Sequence, residues 1–196
     1  MSAQPWNFTG VSALAGYSPA LFPEESRSWF AVRVKHQFEM PVASHLRNFG
    51  FDSLLPLYRA RRKWSDRIKI IDAPLFPGYV FCEFDPQNRI PIDLLPGVTG
   101  IVSFGRKLAA VDRDEIDAVR AVVSSGVNSA PWPRLECGRK VEIDFGPLRG
   151  VQGIVVRDIV EGASCPRERL QLILSVTLLN RSLAVEINRE WIRSLD

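Results

Sequence analysis

Aromatic side chains held between prolines and a glycine are the residues of this chain best suited to binding. They occur in the run Pro74-Leu75-Phe76-Pro77-Gly78-Tyr79-Val80-Phe81. Because successive strand residues point to opposite faces, Phe76, Tyr79 and Phe81 cannot all be buried on one side. Most aromatic residues lie in protein cores, so the alternative is that both faces of this strand pack within the fold. A ring left exposed would form a hydrophobic docking surface.

A second set of candidate binding residues is basic and surrounds Trp64. It comprises Arg59, Arg61, Arg62, Lys63, Arg67 and Lys69. Guanidinium and ammonium groups around an aromatic ring suit phosphate contact and base stacking. A charged hairpin is also simply soluble, so the pattern leaves both interpretations open.

No arrangement of residues predicts catalysis. The sequence has no GxSxG elbow, no GxxxxGK[ST] loop and no HExxH helix. Cys82, Cys137 and Cys165 are far apart and odd in number, which favours neither a zinc site nor a disulfide framework. The acidic run at 112–117 fits helix capping. We therefore expect a protein that is not an enzyme and needs no metal or cofactor.

Composition restricts the class of protein only loosely. The 196 residues are 46% hydrophobic with a net charge of +3, so net charge alone predicts no nucleic-acid binding. The first residues lack a basic start followed by an apolar segment, and no run of about 18 apolar residues occurs. We expect a cytoplasmic protein without a membrane partner.

Hydrophobic spacing predicts an antiparallel sheet backed by helices over residues 28–126. Ser28 to Val34 is typical of a strand, and Val42, Leu46 and Phe49 follow at helical spacing before Gly50. Further strands are expected at 53–58, 69–71, 78–84 and 101–104, with a short helix in 85–95. A last helix, capped by Asp112 or Asp114, presents an apolar stripe of Ile116, Val119, Val122 and Val123 and ends at Gly126.

The remaining segments divide into a leader, a linker and a small barrel. Residues 1–27 show no helical or strand period, although they contain several aromatic residues. Residues 127–135 contain Pro131 and Pro133 and are expected to form an extended, flexible linker. Alternation in 136–196, including Val141, Ile143 and Phe145, predicts several short strands closed into a barrel.

Four motifs in this order give the chain a family resemblance. They are Trp29-Phe30-Ala31-Val32, the aromatic run at 74–81, Pro96-Gly97-Val98 with Phe104-Gly105, and Gly146-Pro147-Leu148-Arg149-Gly150-Val151-Gln152-Gly153. Together the motifs resemble the NusG family of transcription factors. The resemblance implies an α+β fold, with an amino-terminal NGN domain of ferredoxin-like type joined to a carboxy-terminal KOW domain, an SH3-like barrel.

The resemblance also implies partners and contact residues. The NGN domain would dock on RNA polymerase, on the clamp helices of its largest subunit, through Phe76, Pro77, Tyr79, Phe104 and Trp29. Arg59, Arg61, Arg62, Lys63 and Arg67 would contact upstream DNA, and Lys35 and His36 the nontemplate strand, with nascent RNA as a further candidate.

In the KOW element the resemblance implies partner contacts by Leu148, Arg149 and Val151. General family members often carry Phe where this chain has Val151, on the loop that meets the termination factor Rho and a ribosomal protein. The motifs Pro74-Leu75-Phe76-Pro77 and Glu83-Phe84-Asp85-Pro86 are closest to the specialised antiterminator branch that contains RfaH and the polysaccharide-operon regulators. A general NusG factor and an RNA-binding or ribosome-associated KOW module remain the alternatives.

Overall fold

The computed structural model describes residues 26–63, 68–127, 129–132, 139–160, 167–176, 179, 181–187 and 191–194. The predicted leader over 1–27 lies outside these residues except for its last two positions. Within the described residues no helix is long and apolar enough to cross a membrane.

Strands dominate the described residues. In chain order they are β1 Ser28–Val34, β2 Asp52–Leu54, β3 Leu57–Lys63, β4 Ile68–Pro74, β5 Tyr79–Phe84, β6 Val98–Ile101, β7 Ser103–Phe104, β8 Lys107–Leu108, β9 Ala110–Val111, β10 Ser129–Trp132, β11 Arg139–Ile143, β12 Gln152–Val160, β13 Arg167–Val176, β14 Arg181–Ile187 and β15 Ile192–Ser194. The helices are α1 Glu39–Asn48, α2 Ile90–Asp93 and α3 Arg113–Ser125, with a short 3-10 helix at Pro86–Asn88. The expected mixture of antiparallel sheets with few helices is confirmed.

The amino-terminal sheet has the strand order β2-β5-β1-β6, and β9 also pairs with β1. Alternation along β1 divides its side chains between two cores. Phe30, Val32 and Val34 pack with buried residues of α1 and α2, whereas Trp29 and Ala31 pack with those of α3. The sheet therefore lies between α1 and α2 on one face and α3 on the other.

Capping residues set the ends of α3. Asp112 precedes the helix and its carboxylate accepts a hydrogen bond from the Asp114 N–H at 2.9 Å. Gly126 follows with a φ of 67°, a left-handed conformation that favours glycine. Ile116, Val119 and Val122 are buried as predicted, but Val123 is 38% exposed, so the apolar stripe is narrower than the sequence suggested.

Two two-stranded hairpins are separate from this sheet. β3 pairs with β4 from Leu57↔Pro74 to Lys63↔Ile68, and β7 pairs with β8. The sequence predicted strands only beside the basic stretch, whereas part of that stretch itself lies in β3. Cross-strand pairing overrides the poor β-propensity of lysine here.

The carboxy-terminal sheet contains six antiparallel strands in the order β10-β14-β13-β12-β11-β15. Val141 and Ile143 are buried as predicted, but Phe145 is 66% exposed because β11 ends before it. The predicted linker is also more ordered than expected, since β10 within it pairs with β14. The prediction that this sheet closes into a KOW barrel stays a prediction.

One apolar cluster joins the two sheets. This shared cluster contains Trp29, Phe76 and Phe81 from the first sheet and its loop, Ile116, Val119 and Val122 from α3, and Val141, Leu174, Leu183 and Val185 from the second sheet. α3 packs directly against β13. The carboxy-terminal sheet thus lies on the same side of the amino-terminal sheet as α3.

Candidate functional site

Tyr79 sits at the end of a tight turn that enters β5. The Tyr79 N–H donates to the Phe76 carbonyl at 3.1 Å. Gly78, with a φ of 84°, donates its N–H to Glu39 Oε1 at 3.0 Å and accepts from the Val34 N–H at 2.9 Å. Only glycine adopts this φ without strain. The turn is therefore held by α1 and β1, which fixes the position of the Tyr79 ring.

Phe76 and Trp29 lie beneath this turn rather than on the surface. Phe76 is fully buried, and its ring meets Phe81 edge-on with centroids 5.4 Å apart. Trp29 is 3% exposed, and the Arg120 guanidinium lies 5.2 Å from its ring centroid. In this structure neither ring is accessible to a partner, so both are core residues that pack beneath the Tyr79 turn.

Arg33 on β1 lies between Tyr79 and Gly100 in a row of three residues across the sheet. It pairs with Tyr79 on β5 and with Gly100 on β6. A Cβ added at Gly100 would lie 3.4 Å from the Arg33 guanidinium, so the missing side chain gives the arginine room. Arg33 is exposed. The candidate surface therefore combines an aromatic ring with a cation.

Pro77 and Phe104 are the exposed members of the predicted set. Pro77 lies in the turn beside Tyr79. Phe104 is 74% exposed in the β7–β8 hairpin. The structure brings Trp29, Phe76 and Tyr79 into contact with the shared cluster, and Phe104 lies apart from that cluster.

The carboxy-terminal sheet partly covers Tyr79. The Arg181 guanidinium, at the start of β14, lies 5.6 Å from the centroid of the Tyr79 ring, within cation–π range. Leu179 packs against the shared cluster nearby in sequence. Sequence reasoning missed Arg181, because its contact with Tyr79 joins segments about 100 positions apart.

The predicted nucleic-acid residues fall at two places. Lys35 and His36 are exposed in the turn after β1, where the Lys35 N–H donates to the Gly97 carbonyl at 2.8 Å. Arg59 is exposed on β3, opposite Asp72 on β4. Arg61, Arg62 and Lys63 continue β3, and Arg67 lies outside the described residues.

In the predicted KOW loop only one of three candidate residues is exposed. Leu148 is 1% exposed and Val151 8%, whereas Arg149 is exposed. The loop is closed by hydrogen bonds from the Gly150 N–H to the Ile143 carbonyl at 2.7 Å and from the Ile143 N–H to the Val151 carbonyl at 3.0 Å. Leu148 and Val151 therefore anchor the loop, and Arg149 is available to a partner.

A cleft of about 670 Å³ separates this loop from α3. One wall carries Asp114, Glu115 and Asp117 of α3, and the other carries Arg149 and Gln152. Acidic side chains of α3 therefore face Arg149 across the cleft. Their attraction favours packing of the carboxy-terminal sheet against α3, and salt screens it.

Cys82 is a buried, free cysteine among the described residues. Burial raises the pKa of the Cys82 thiol well above its usual value, and the charges of Asp52 and Glu83 raise it further. A protonated, buried thiol is a poor nucleophile. No group of three or more His, Cys, Asp or Glu side chains among the described residues is placed to hold a metal ion.

The chain is similar to known proteins in sequence and in fold. The sequence model of the family described as "Transcription termination factor nusG" matches residues 27–120, which span the amino-terminal sheet, α1, α2 and part of α3. Among solved structures, the chain is similar to that titled "Domain interaction in Thermotoga maritima NusG". That likeness has a TM-score of 0.51 at 18% identity and covers 89% of this chain and 100% of the other.

Two structures of an MjSpt4:Spt5 complex, in conformations B and A, are more distant. They match at 19% and 20% identity and cover 86% of this chain, with a TM-score of 0.28 in each case. The likeness to the Thermotoga maritima structure supports a NusG-like fold, and the match to the family model is confined to residues 27–120.

Proposed function

We propose that this protein is a transcription elongation and antitermination factor that binds the clamp helices of RNA polymerase and suppresses pausing and termination. It is a specialised NusG paralogue in this proposal. By bridging polymerase in its elongating conformation, the protein would disfavour the paused and terminating conformations, because a ligand shifts an equilibrium toward the state that it binds better.

The observation that carries the proposal is the placement of Tyr79. Its ring is half-buried, so it presents an apolar edge to a partner while its backbone is fixed by hydrogen bonds to Phe76 and by the Gly78 contacts with Glu39 and Val34. A ring held in this way loses little conformational entropy on binding. Pro77 extends the apolar surface, and Arg33 adds a charge beside it.

Nucleic acid would be contacted by the basic residues without reading of sequence. Arg59, Arg61, Arg62 and Lys63 are all residues of β3, which pairs with β4 over this length. Such contacts go to phosphates, which position a protein on DNA. Lys35 and His36 would meet the nontemplate strand from the turn after β1.

A partner of the carboxy-terminal sheet would be met through Arg149. Rho or a ribosomal protein is the candidate partner, as the family resemblance implies. Val151 stands where general family members often carry Phe. Because Val151 is buried, the loop lacks that aromatic ring and exposes no other side chain at this position. This weakens the case for a housekeeping partner and favours a specialised role.

The first test is binding to core RNA polymerase followed by a pause and termination assay on a reconstituted template. We expect Tyr79→Ala to stay folded and to weaken polymerase binding by about 2 kcal/mol or more, since central aromatic anchors contribute on this scale. That loss corresponds to an affinity lower by a factor of about 30. Read-through of a terminator should fall in parallel.

Tyr58→Ala is the matched control for this test. Tyr58 is also half-buried and packs against the shared cluster, but it lies on β3. Its replacement should leave binding to polymerase without nucleic acid unchanged. Normal binding by a folded Tyr79→Ala protein would reject the proposed site, and equal losses in the two variants would indicate a general effect of lost packing.

A further inference from the structure

α2 exposes two large apolar side chains on one side of the helix. Ile90 is 66% exposed and Leu94 is 62% exposed. The Leu94 N–H donates to the Ile90 carbonyl at 3.2 Å, so the two residues are one helical turn apart and share a side of the helix. Ile92 and Leu95 are buried in the core, which fixes the helix on the sheet. Ile90 and Leu94 together form the α2 patch.

The loop after the α2 patch packs closely against the start of α1. A Cβ added at Gly97 would lie only 2.2 Å from the Phe38 ring. The Lys35 N–H also donates to the Gly97 carbonyl at 2.8 Å. Met40, two positions after Phe38 in the first turn of α1, is exposed. Apolar surface is therefore exposed on both helices of this face, and grouped apolar surface of this kind marks an interaction site more often than single exposed residues do.

The leader joins the fold at the end of the sheet where α2 begins. Ser26, the first described residue, donates its hydroxyl to Asp85 Oδ2 at 3.3 Å. The Asp85 carboxylate also accepts from the Gln87 N–H at 2.9 Å and so caps the 3-10 helix that leads into α2. The point at which residues 1–25 are attached therefore lies beside this 3-10 helix.

The composition of residues 1–25 suits an apolar surface. Four of them are aromatic, and only Glu24 and Glu25 are charged. Segments that stay solvated along their whole length are usually rich in charge and poor in aromatic residues. Pro19 and Pro23 bracket the apolar run Ala20-Leu21-Phe22. Because proline fixes its own φ, this run would lose less conformational entropy on docking than a segment without proline.

The length of the tether favours the leader over any free partner. Phe22 is four residues before Ser26, so their Cα atoms stay within about 14 Å of each other. Ile90 is five residues after Asp85, the hydrogen-bond partner of Ser26, so those Cα atoms stay within about 18 Å. A short tether gives a local concentration of roughly millimolar order.

We propose that the α2 patch is a docking surface for the leader of the same chain, with Leu21 and Phe22 packed on Ile90 and Leu94. Docking removes the apolar side chains of both segments from water, which is the driving force. The proline-bracketed run supplies the contact, and the hydrogen bond from Ser26 to Asp85 sets where it begins.

The docked leader does not compete with the candidate polymerase site. Ile92 of α2 packs in the core on one face of the amino-terminal sheet, and Tyr79 packs against the shared cluster on the other face. The leader interaction is therefore independent of polymerase binding and can be tested without polymerase.

Photocrosslinking from the α2 patch tests the docking in the full chain. Ile90 is replaced by p-benzoylphenylalanine, which reacts with neighbouring C–H groups on irradiation, and crosslinked peptides are identified by mass spectrometry. Because Ile90 is exposed, its replacement should leave the fold intact. We expect crosslinks to residues 17–24 within monomers, in a yield that does not change on dilution of the protein.

The same replacement at Phe104 is the matched control. Phe104 is also an exposed apolar residue, but it lies in the β7–β8 hairpin and should give no crosslinks to the leader. Crosslinks from Ile90 that occur only in dimers would overturn the proposal and indicate that a second copy covers the α2 patch. Absence of leader crosslinks from Ile90, or equal yields from both positions, would also overturn it.

Thermolysin cleavage between Ala20 and Leu21 provides a second measurement, since the protease cuts before large apolar residues that are accessible. Ile90→Ser with Leu94→Ser should raise the cleavage rate about tenfold or more, because burial of one apolar side chain of this size changes an equilibrium by about that factor. The rate is followed by mass spectrometry of the released peptide.

Phe104→Ser with Phe145→Ser is the control for cleavage, because it removes two exposed apolar residues at other places. This control should leave the cleavage rate unchanged. Equal cleavage of the unaltered protein and the α2 variant would overturn the docking. An equal increase in the control would show a general loosening of the fold and would count against the α2 patch as the docking surface.

Discussion

Phe76 packs at the centre of the shared cluster, with its ring edge-on to Phe81 and no exposed surface. Removal of a buried phenyl group leaves a cavity as well as the lost transfer energy. We expect Phe76→Ala to lower the free energy of unfolding by about 3–5 kcal/mol. Because Phe76 is fully buried, its truncation tests the stability of the fold rather than a surface contact.

Urea denaturation of Phe76→Ala checks this expectation, with Phe104→Ala as its control. Phe104 is the same residue type but is 74% exposed, so its truncation should change the free energy of unfolding by no more than about 0.5 kcal/mol. Similar losses in the two variants would contradict the burial argument. Weaker polymerase binding by Phe76→Ala is informative only where the variant is shown to be folded.

Cys82 is expected to resist alkylation in the folded protein. Its side chain is fully buried, and desolvation together with the nearby Asp52 and Glu83 raises its pKa. Since the thiolate is the reacting form, both effects slow the reaction at neutral pH. We expect iodoacetamide to modify Cys82 at least about 1,000-fold more slowly in native protein than in urea, because reaction requires unfolding. Peptide mass spectrometry separates Cys82 from the other cysteines, and rapid native labelling would show that β5 opens locally.

At the scale of elements, the β3–β4 hairpin contains Arg59, Arg61, Arg62 and Lys63 of the proposed nucleic-acid-binding set. We expect Arg61→Glu with Arg62→Glu to reduce crosslinking to upstream DNA while leaving affinity for polymerase alone nearly unchanged. Loss of two phosphate contacts should also lower the slope of log affinity against log salt by about 2. The measurement is crosslinking within a reconstituted elongation complex at several salt concentrations.

The control for this hairpin is Arg106→Glu with Lys107→Glu. These two exposed basic residues lie at the β7–β8 hairpin, so their reversal changes the net charge by the same amount at another place. If both double variants lose the same DNA contact, the effect is one of overall charge and not of the β3–β4 hairpin.

Local chemistry explains which elements could be predicted from sequence. β1, the Asp112 cap and the left-handed Gly126 follow from residue types within a few positions, and the structure has all three. The side chains of β5 also divide as alternation requires, with Val80, Cys82 and Phe84 in one core and Phe81 in the other. Short-range rules suffice where neighbouring residues set the conformation.

Pairings between distant segments could not be predicted from these short-range rules. β10 contains a proline and was expected to stay an unpaired linker, but the edge of β14 gives it hydrogen-bond partners about 55 positions away. Phe145 continues an alternating pattern yet lies beyond the end of β11. At the candidate site, the sequence identified Tyr79 and Pro77 but could not show that Phe76 is buried or that Arg181 lies over the ring.

At the scale of the whole molecule, the shared cluster links the two sheets into one packed unit in this structure. Buried residues of α3 contact both the amino-terminal sheet and the carboxy-terminal sheet. The face that carries Tyr79 is therefore the face on which the second sheet lies. If polymerase contacts Tyr79 as proposed, its binding depends on how the two sheets are arranged.

Arg181→Ala tests this dependence through a single side chain. A cation–π contact at a partly exposed site contributes about 0.5–1 kcal/mol. Its loss should therefore favour, about two- to fivefold, an arrangement in which the carboxy-terminal sheet no longer covers Tyr79. We expect nitration of Tyr79 by tetranitromethane and the affinity for polymerase to rise together by this factor, because both require access to the same ring. Lys140→Ala is the control, since Lys140 is an exposed cation of the same sheet. A rise in nitration without a rise in affinity would show that the sheet covers Tyr79 but that polymerase binds elsewhere. No change in either would show that Arg181 does not hold the sheet over Tyr79.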